Sequence, residues 1–313
     1  MIKMNYLWEI TLTIEGKGNL NIITADISSD HGYHDNLPEE IYVNGLLQAQ
    51  TGKIAYNLNL TQNIIKLKWN SPLTNCKNMF RDLSNIIKID LSNFDSSRVT
   101  NMFCMFIDCH SLTSIDFTNF NTSIVTNTRS MFNGCYSLKS LELSSFNTSV
   151  VKTMEYMFLD CHSLKYLDLT SFDISSVTTM EDMFQNCQSL KFINLYSFIE
   201  KNLLIVSGMF NYIPENLTYC INENKAPKIS SVLQAKGFNK NCSFCSNNKT
   251  HKYQYKFECF LTGPERTFVT IENKFLCKEC ENYYNYNQTS CLDEIPEGYF
   301  LNNSLLKAID KCH

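Results

Sequence analysis

Hydrophobic residues in the middle of the chain follow two alternating periods. In "SLKYLDL" they fall at Leu164, Leu167 and Leu169, so that Leu167 and Leu169 share one face of an extended segment and Tyr166 and Asp168 the other. In "SVTTMEDMFQNC" they fall at Val177, Met180, Met183, Phe184 and Cys187, at steps of three, three, one and three. That stripe predicts a short helix. The stretch between, "SFDISS", carries the Asp and Ser residues of a turn leading into a helix cap.

The whole unit repeats. The Met-Phe pair recurs at Met79, Met105, Met131, Met157, Met183 and Met209, always 26 residues apart. Phe94, Phe120, Phe146, Phe172 and Phe198 keep the same step, as do Leu91, Phe117, Leu143, Leu169 and Leu195. Strand, turn and short helix in one such unit describe a coil of a leucine-rich-repeat solenoid. A single coil cannot bury its own face, but stacked coils form a continuous core. The expected fold class is therefore α/β, with the solenoid over residues 72–222.

The repeat also explains the most reactive-looking motif. "DCHSL" occurs twice and places an Asp, a Cys, a His and a Ser within five residues. Its Cys belongs to the column Cys109, Cys135, Cys161 and Cys187, continued by Leu83 before and Ile213 after. A position that accepts Leu, Cys or Ile is an apolar slot, since free Cys behaves as a small hydrophobe. The neighbouring column reads His110, Tyr136, His162 and Gln188, so it keeps no chemistry. No catalytic residue is assigned.

The pattern "MFxxCxSLxxLDLSxFxTSxVTxM" resembles the 26-residue repeat of the BspA-like leucine-rich-repeat surface proteins, over roughly residues 73–222. The resemblance implies a surface-exposed role in adhesion or protein binding. An open solenoid needs caps at both ends. Residues 1–71 are read as a β-rich cap, with turns at Gly16-Lys17-Gly18-Asn19 and Asn44-Gly45. Ile64, Leu67 and Trp69 supply a degenerate copy of the strand motif. Residues 223–240 are read as a linker.

Residues 241–313 change character. Cys242, Cys245, Cys259, Cys277, Cys280, Cys291 and Cys312 crowd into a segment poor in aliphatic side chains, which needs cross-links or metal to fold. The pairs "CSFC" and "CKEC" fit a structural zinc site, but their separation is long for one. The favoured expectation is an extracellular disulfide framework built from Cys242, Cys245, Cys259, Cys277, Cys280 and Cys291. "CKECENYYNYNQTSCLDEIPEGYFLNN" resembles the Cys-rich modules of growth-factor-receptor-like ectodomains. The odd cysteine is left either to Cys220 or to a partner beyond the end, with preference for the second. The chain then reads as a piece of a longer surface protein, its anchor in sequence not included here.

A binding face is expected on the outward strand positions. One column reads Lys88, Ser114, Ser140, Tyr166 and Phe192; the other reads Asp90, Asp116, Glu142, Asp168 and Asn194. Stacked carboxylates repel, and Lys139, Lys165 and Lys191 are expected to screen them. Calcium bridging is a weaker reading, without a glycine-rich loop to support it. His31 and His34 in "HGYH" are a weak metal candidate. Eight N-x-S/T sequons are present, but Asn121 and Asn147 share a repeat column and are read as turn caps rather than glycan sites.

Composition narrows the function classes. The chain is 44% hydrophobic and 19% charged with a net charge of -4, which argues against disorder and against a nucleic-acid partner. No apolar run reaches the roughly 18 residues of a membrane helix. The start "MIKMNYLWEITLTIEG" lacks a signal-peptide core. No phosphate loop, G-x-S-x-G or H-E-x-x-H occurs. The expectation is a non-enzymatic cell-surface or secreted protein without cofactor, binding a protein or glycan of another surface. An intracellular scaffold with a zinc module is the alternative.

Overall fold

The computed structural model describes residues 8–24, 37–48 and 55–242, together with the backbone of eight short strands between 253 and 310. Residues 1–240 and 241–313 are separate compact units.

The first unit is a β-solenoid of about five turns joined to an N-terminal sheet. Its strands are β1 (Glu9–Glu15), β2 (Gly18–Asn21), β3 (Glu40–Val43), β4 (Leu46–Leu47), β5 (Ala55–Leu58) and β6 (Gln62–Lys68), then one strand per coil in β7 (Ile86–Asp90) and β8 (Ser114–Asp116). In this row the third coil contributes an isolated bridge, Ser140 to Tyr166, in place of a strand. The coil strands resume at β9 (Tyr166–Asp168), β10 (Phe192–Leu195) and β11 (Thr218–Ile221), followed by α1 (Pro227–Ala235) and β12 (Asn239–Lys240). β1 runs antiparallel to both β6 and β7, so the cap sheet, ordered β4-β3-β6-β1-β7-β8, is continuous with the first two coils. An edge strand that would otherwise present unpaired backbone is thereby closed.

Two turn expectations fare differently. Asn44 and Gly45, at φ 52° and 84°, close a two-residue hairpin between β3 and β4. The Gly16–Gly18 turn makes no hairpin, because β2 leaves to pair with β5. β6 is an antiparallel cap strand rather than a degenerate coil: Leu67 and Trp69 are buried but Ile64 is exposed, with Ile65 taking the inward place.

The expected helix in each coil is absent, and the α/β class is corrected to mostly β. Residues 154–161 show why. Tyr156, Phe158 and Asp160 send their N–H groups to Glu181, Met183 and Gln185 of the next coil. Met157, Leu159 and Cys161 instead bond back three residues, to Met154, Tyr156 and Phe158. A chain of i to i−3 turns brings every third residue inward, as a helix does, so the apolar stripe is similar. The alternation needs left-handed residues, and two columns supply them. Asp82, Asp108, Gly134, Asp160, Asn186 and Tyr212 all have positive φ, as do Asn78, Cys104, Ser130, Tyr156, Asp182 and Gly208. Gly, Asn and Asp tolerate that region best.

Three side-chain turns shape the rest of each coil. Asp90, Asp95 and Asn101 each accept a hydrogen bond from the N–H two residues on, at Ser92, Ser97 and Phe103. The next coil repeats this at Asp116, Asn121 and Asn127. Asn121 and Asn147 are thus turn caps. Inside, Phe80, Phe106, Phe132, Phe158, Phe184 and Phe210 form a stacked ladder with centroids 5.4–5.8 Å apart.

A second buried ladder is polar. Thr122 Oγ1 donates to Asn147 O at 2.9 Å and accepts from Asn147 N at 2.8 Å; Ser96 and Thr148 do the same one coil away. Each hydroxyl satisfies two backbone groups of the next coil. Thr122→Val keeps the shape and strands both, so urea unfolding is expected to show a loss of about 1–3 kcal/mol. A change below a few tenths would mean that water replaces the hydroxyl there.

Residues 223–240, expected as a linker, instead close the solenoid. Glu200 accepts from the N–H groups of Lys228 and Ile229 at 3.0 and 2.8 Å and so caps α1, whose Ile229 and Leu233 are buried. Among the described residues, Cys220 on β11 and Cys242, two residues beyond β12, are disulfide-bonded.

In the second unit, β13 (Tyr253–Tyr255) pairs with β14 (Glu258–Phe260) and β15 (Thr267–Val269) with β16 (Cys277–Glu279), both antiparallel. β17 (Tyr283–Asn285), β18 (Ser290–Leu292), β19 (Tyr299–Asn302) and β20 (Lys307–Asp310) form a sheet in the order β18-β17-β20-β19. Cys245, Cys280, Cys312, His31 and His34 lie outside the described residues, as do the side chains of Cys259, Cys277 and Cys291.

Candidate functional site

The coil separates the members of "DCHSL". Cys109 is fully buried, and its Sγ donates to Phe80 O at 3.0 Å; Cys135, Cys161 and Cys187 donate in the same way to Phe106, Phe132 and Phe158. Burial pushes these thiols well above their ordinary range, so no thiolate is available at neutral pH. The Asp and His of the motif do meet, on the opposite side of the backbone. His110 Nε2 stands 3.5 Å from Asp108 Oδ1, and His162 Nε2 stands 3.6 Å from Asp160 Oδ1. Burial and the neighbouring Asp82 raise the Asp108 carboxyl. The rings of His110, Tyr136 and His162 stack at 4.3 and 4.6 Å. That stack was not legible as one, because its column changes residue type at every coil. Stacking needs only flat rings.

The outward strand columns are better placed for a ligand. Register aligns Thr13 with Lys88 and Lys88 with Ser114, and beside them Thr11 with Asp90 and Asp90 with Asp116. These rows, with Glu142 of the third coil, line an open cleft of about 720 Å³. The corner segments Thr118–Asn119 and Ser144–Ser145, together with Ile89, Ile115 and Phe117, complete its lining. It lies where the solenoid sheet is interrupted, after β8 and before β9.

Each carboxylate of this column, and the Asn194 amide that continues it, has a structural task as well. Asp90, Asp116, Glu142, Asp168 and Asn194 accept through one oxygen from the N–H of Ser92, Thr118, Ser144, Thr170 and Tyr196, at 2.8–3.2 Å. The acidic column is therefore also the column of corners. Among the described residues no ion pair joins it to Lys139, Lys165 or Lys191. Their backbones instead continue the inter-coil ladder, Lys165 to Lys139 and Lys191 to Lys165.

Of the ten expected face residues, Lys88, Asp90, Ser114, Asp116 and Glu142 meet in the cleft. Ser140 is exposed, while Tyr166 and Asp168 are half-buried one coil further on. Phe192 and Asn194 are buried, at 9% and 3% exposure, and do not belong to an open face. β10 is flanked on both sides: Phe192 lies between Tyr166 and Thr218, and Asn194 between Asp168 and the disulfide-bonded Cys220. Thr11 and Thr13, which the sequence did not single out, join the site because β1 crosses over to pair with β7. Among the described residues no group of three His, Cys, Asp or Glu side chains is arranged to hold a metal ion. Among them too, no helix is long and apolar enough to cross a membrane.

The profile of a family described as "Mycoplasma protein of unknown function, DUF285" matches residues 54–116 and 112–224, more than half of the chain. The chain belongs to the DUF285 family. The two DUF285 matches cover β5, β6 and the coils through β11, so the cleft lies within the family's span except for its β1 border. No curated protein and no solved structure matches the chain.

Proposed function

We propose that this protein is a non-enzymatic binding protein of the cell surface or the secreted space, using its solenoid face for adhesion in the manner of BspA-like leucine-rich-repeat proteins. The cleft carries the reading. It gathers hydroxyl, carboxylate and amine side chains on a rigid array whose reactive-looking thiols are sealed inside. Solenoids use such extended faces for macromolecular partners. The disulfide at Cys220 and Cys242 supports an oxidising compartment, where such bonds persist. It also removes Cys242 from the four thiolates of the zinc alternative. Residues 241–313 then serve as stalk or connector.

Trypsin added to intact producing cells is expected to remove the chain, and the labelled full chain is expected to bind glycan-bearing cells saturably in flow cytometry. Protection from trypsin until the cells are lysed would instead favour the intracellular scaffold.

A further inference from the structure

The cleft constrains the chemistry of its occupant, on the premise that this face is the binding face. We propose that it recognises a short neutral oligosaccharide. Its lining sets hydrogen-bonding groups among carbon surface, the mixture that the hydroxyls and C–H faces of a sugar ring match: Thr118 and Ser114 offer hydroxyls, Asn119 an amide, Lys88 an ammonium, and Asp116 and Glu142 carboxylates. Hydroxyls of this kind both donate and accept, and carboxylates accept from paired donors such as the vicinal hydroxyls of a sugar.

The carboxylates are pre-organised for that task. In Asp116 and Glu142 one oxygen is held by a corner N–H, at 2.8 and 3.0 Å. Among the described residues the other oxygen has no partner. A ligand therefore meets acceptors whose rotamers are already fixed, which lowers the entropy lost on binding. Successive coils repeat this acceptor at about 4.8 Å, the strand spacing. That step is close to the length of one pyranose ring, so neighbouring coils match neighbouring sugar units.

Other occupants fit less well. A protein partner would need apolar anchors, which carry most interface energy. Here the apolar side chains of the lining, Ile89, Ile115 and Phe117, are only 2%, 8% and 4% exposed, so none projects as an anchor. An anionic glycan or nucleic acid would face three carboxylates against one lysine. The volume lies within the range of small-ligand sites, roughly 300–1,000 Å³.

The test uses the full chain and calorimetric titration with cellotetraose, xylotetraose, mannotetraose, chitotetraose and lacto-N-tetraose. At least one is expected to bind saturably. Ser114→Trp fills the cleft from an exposed strand position and is expected to abolish that binding. Asp116→Asn keeps the oxygen that holds Thr118 N–H and exchanges only the free acceptor, so about a tenfold loss is expected. Asp173→Asn makes the same exchange at a corner outside the cleft and should change nothing. Unchanged urea midpoints establish that the variants fold.

Absence of binding by all five sugars, or binding indifferent to Ser114→Trp, overturns the inference. The same variants in the cell-binding assay separate the two readings. Cells still bound by Ser114→Trp, with no sugar bound by the parent, would leave an adhesive protein whose ligand is not a neutral glycan. A chain that binds neither cells nor sugars would overturn both.

Discussion

Phe132→Ala is expected to lower the stability of the first unit by about 3–5 kcal/mol, the range for removing a buried phenyl ring. Phe132 is fully buried and stacks on both sides, against Phe106 at 5.6 Å and Phe158 at 5.4 Å. The ring cannot be replaced from within the coil, because each neighbour is already held in its own stack. In a repeat array stability is approximately a sum of coil terms and nearest-neighbour terms. A central gap therefore weakens two interfaces and should let the halves unfold separately. Urea unfolding is expected to show a lower midpoint and a broadened or two-step transition. Phe210→Ala provides the contrast. Phe210 stacks on Phe184 but meets Phe238 only edge-on at 6.4 Å, next to the terminal helix. Its loss should be smaller and should fray the end while the transition stays single. Equal effects at both positions would show that the coils unfold as one cooperative block.

Removing the disulfide is expected to be the second-largest effect. Cys220→Ser combined with Cys242→Ser should cost about 3 kcal/mol, typical for a link that closes a loop of this size. Between the two positions lie α1 and β12, which close the last coil. Amide hydrogen exchange should therefore rise first in residues 218–240 and leave the coils around Phe132 protected. Cys187→Ala is the local control, since its thiol is buried and not cross-linked. Exchange that rises evenly along the solenoid after the double substitution would mean that the end cap governs the stability of the whole array.

The solenoid itself was legible in the sequence because its core is written in apolar columns, and Met79 to Met209 or Phe94 to Phe198 can only be stacked inward. The cap was legible in outline from alternation and the Asn44-Gly45 turn. The internal form of the second half was not. Val177, Met180, Met183, Phe184 and Cys187 fall at steps shared by a helix and by successive i to i−3 turns. The discriminating signal lies in the polar residues between them. Asp108, Gly134, Asp160 and Asn186 occupy one left-handed column, whereas an amphipathic helix favours long side chains there. The acidic column was read as a ligand face, and part of its reason is structural, since each oxygen closes a corner. Thr11 and Thr13 escaped notice because long-range antiparallel pairing of β1 with β7 leaves no local trace.

The alternating bonds between coils also bear on how such a chain changes over generations. Every coil offers the same donors on one side and the same acceptors on the other, at Tyr156, Phe158 and Asp160 as at Asp182, Phe184 and Asn186. A duplicated or deleted stretch of 26 residues rejoins its neighbours without a mismatch, while any other length breaks both left-handed columns. The span between the β1-bordered cleft and the disulfide-closed end can therefore lengthen or shorten by whole coils while the cleft stays intact.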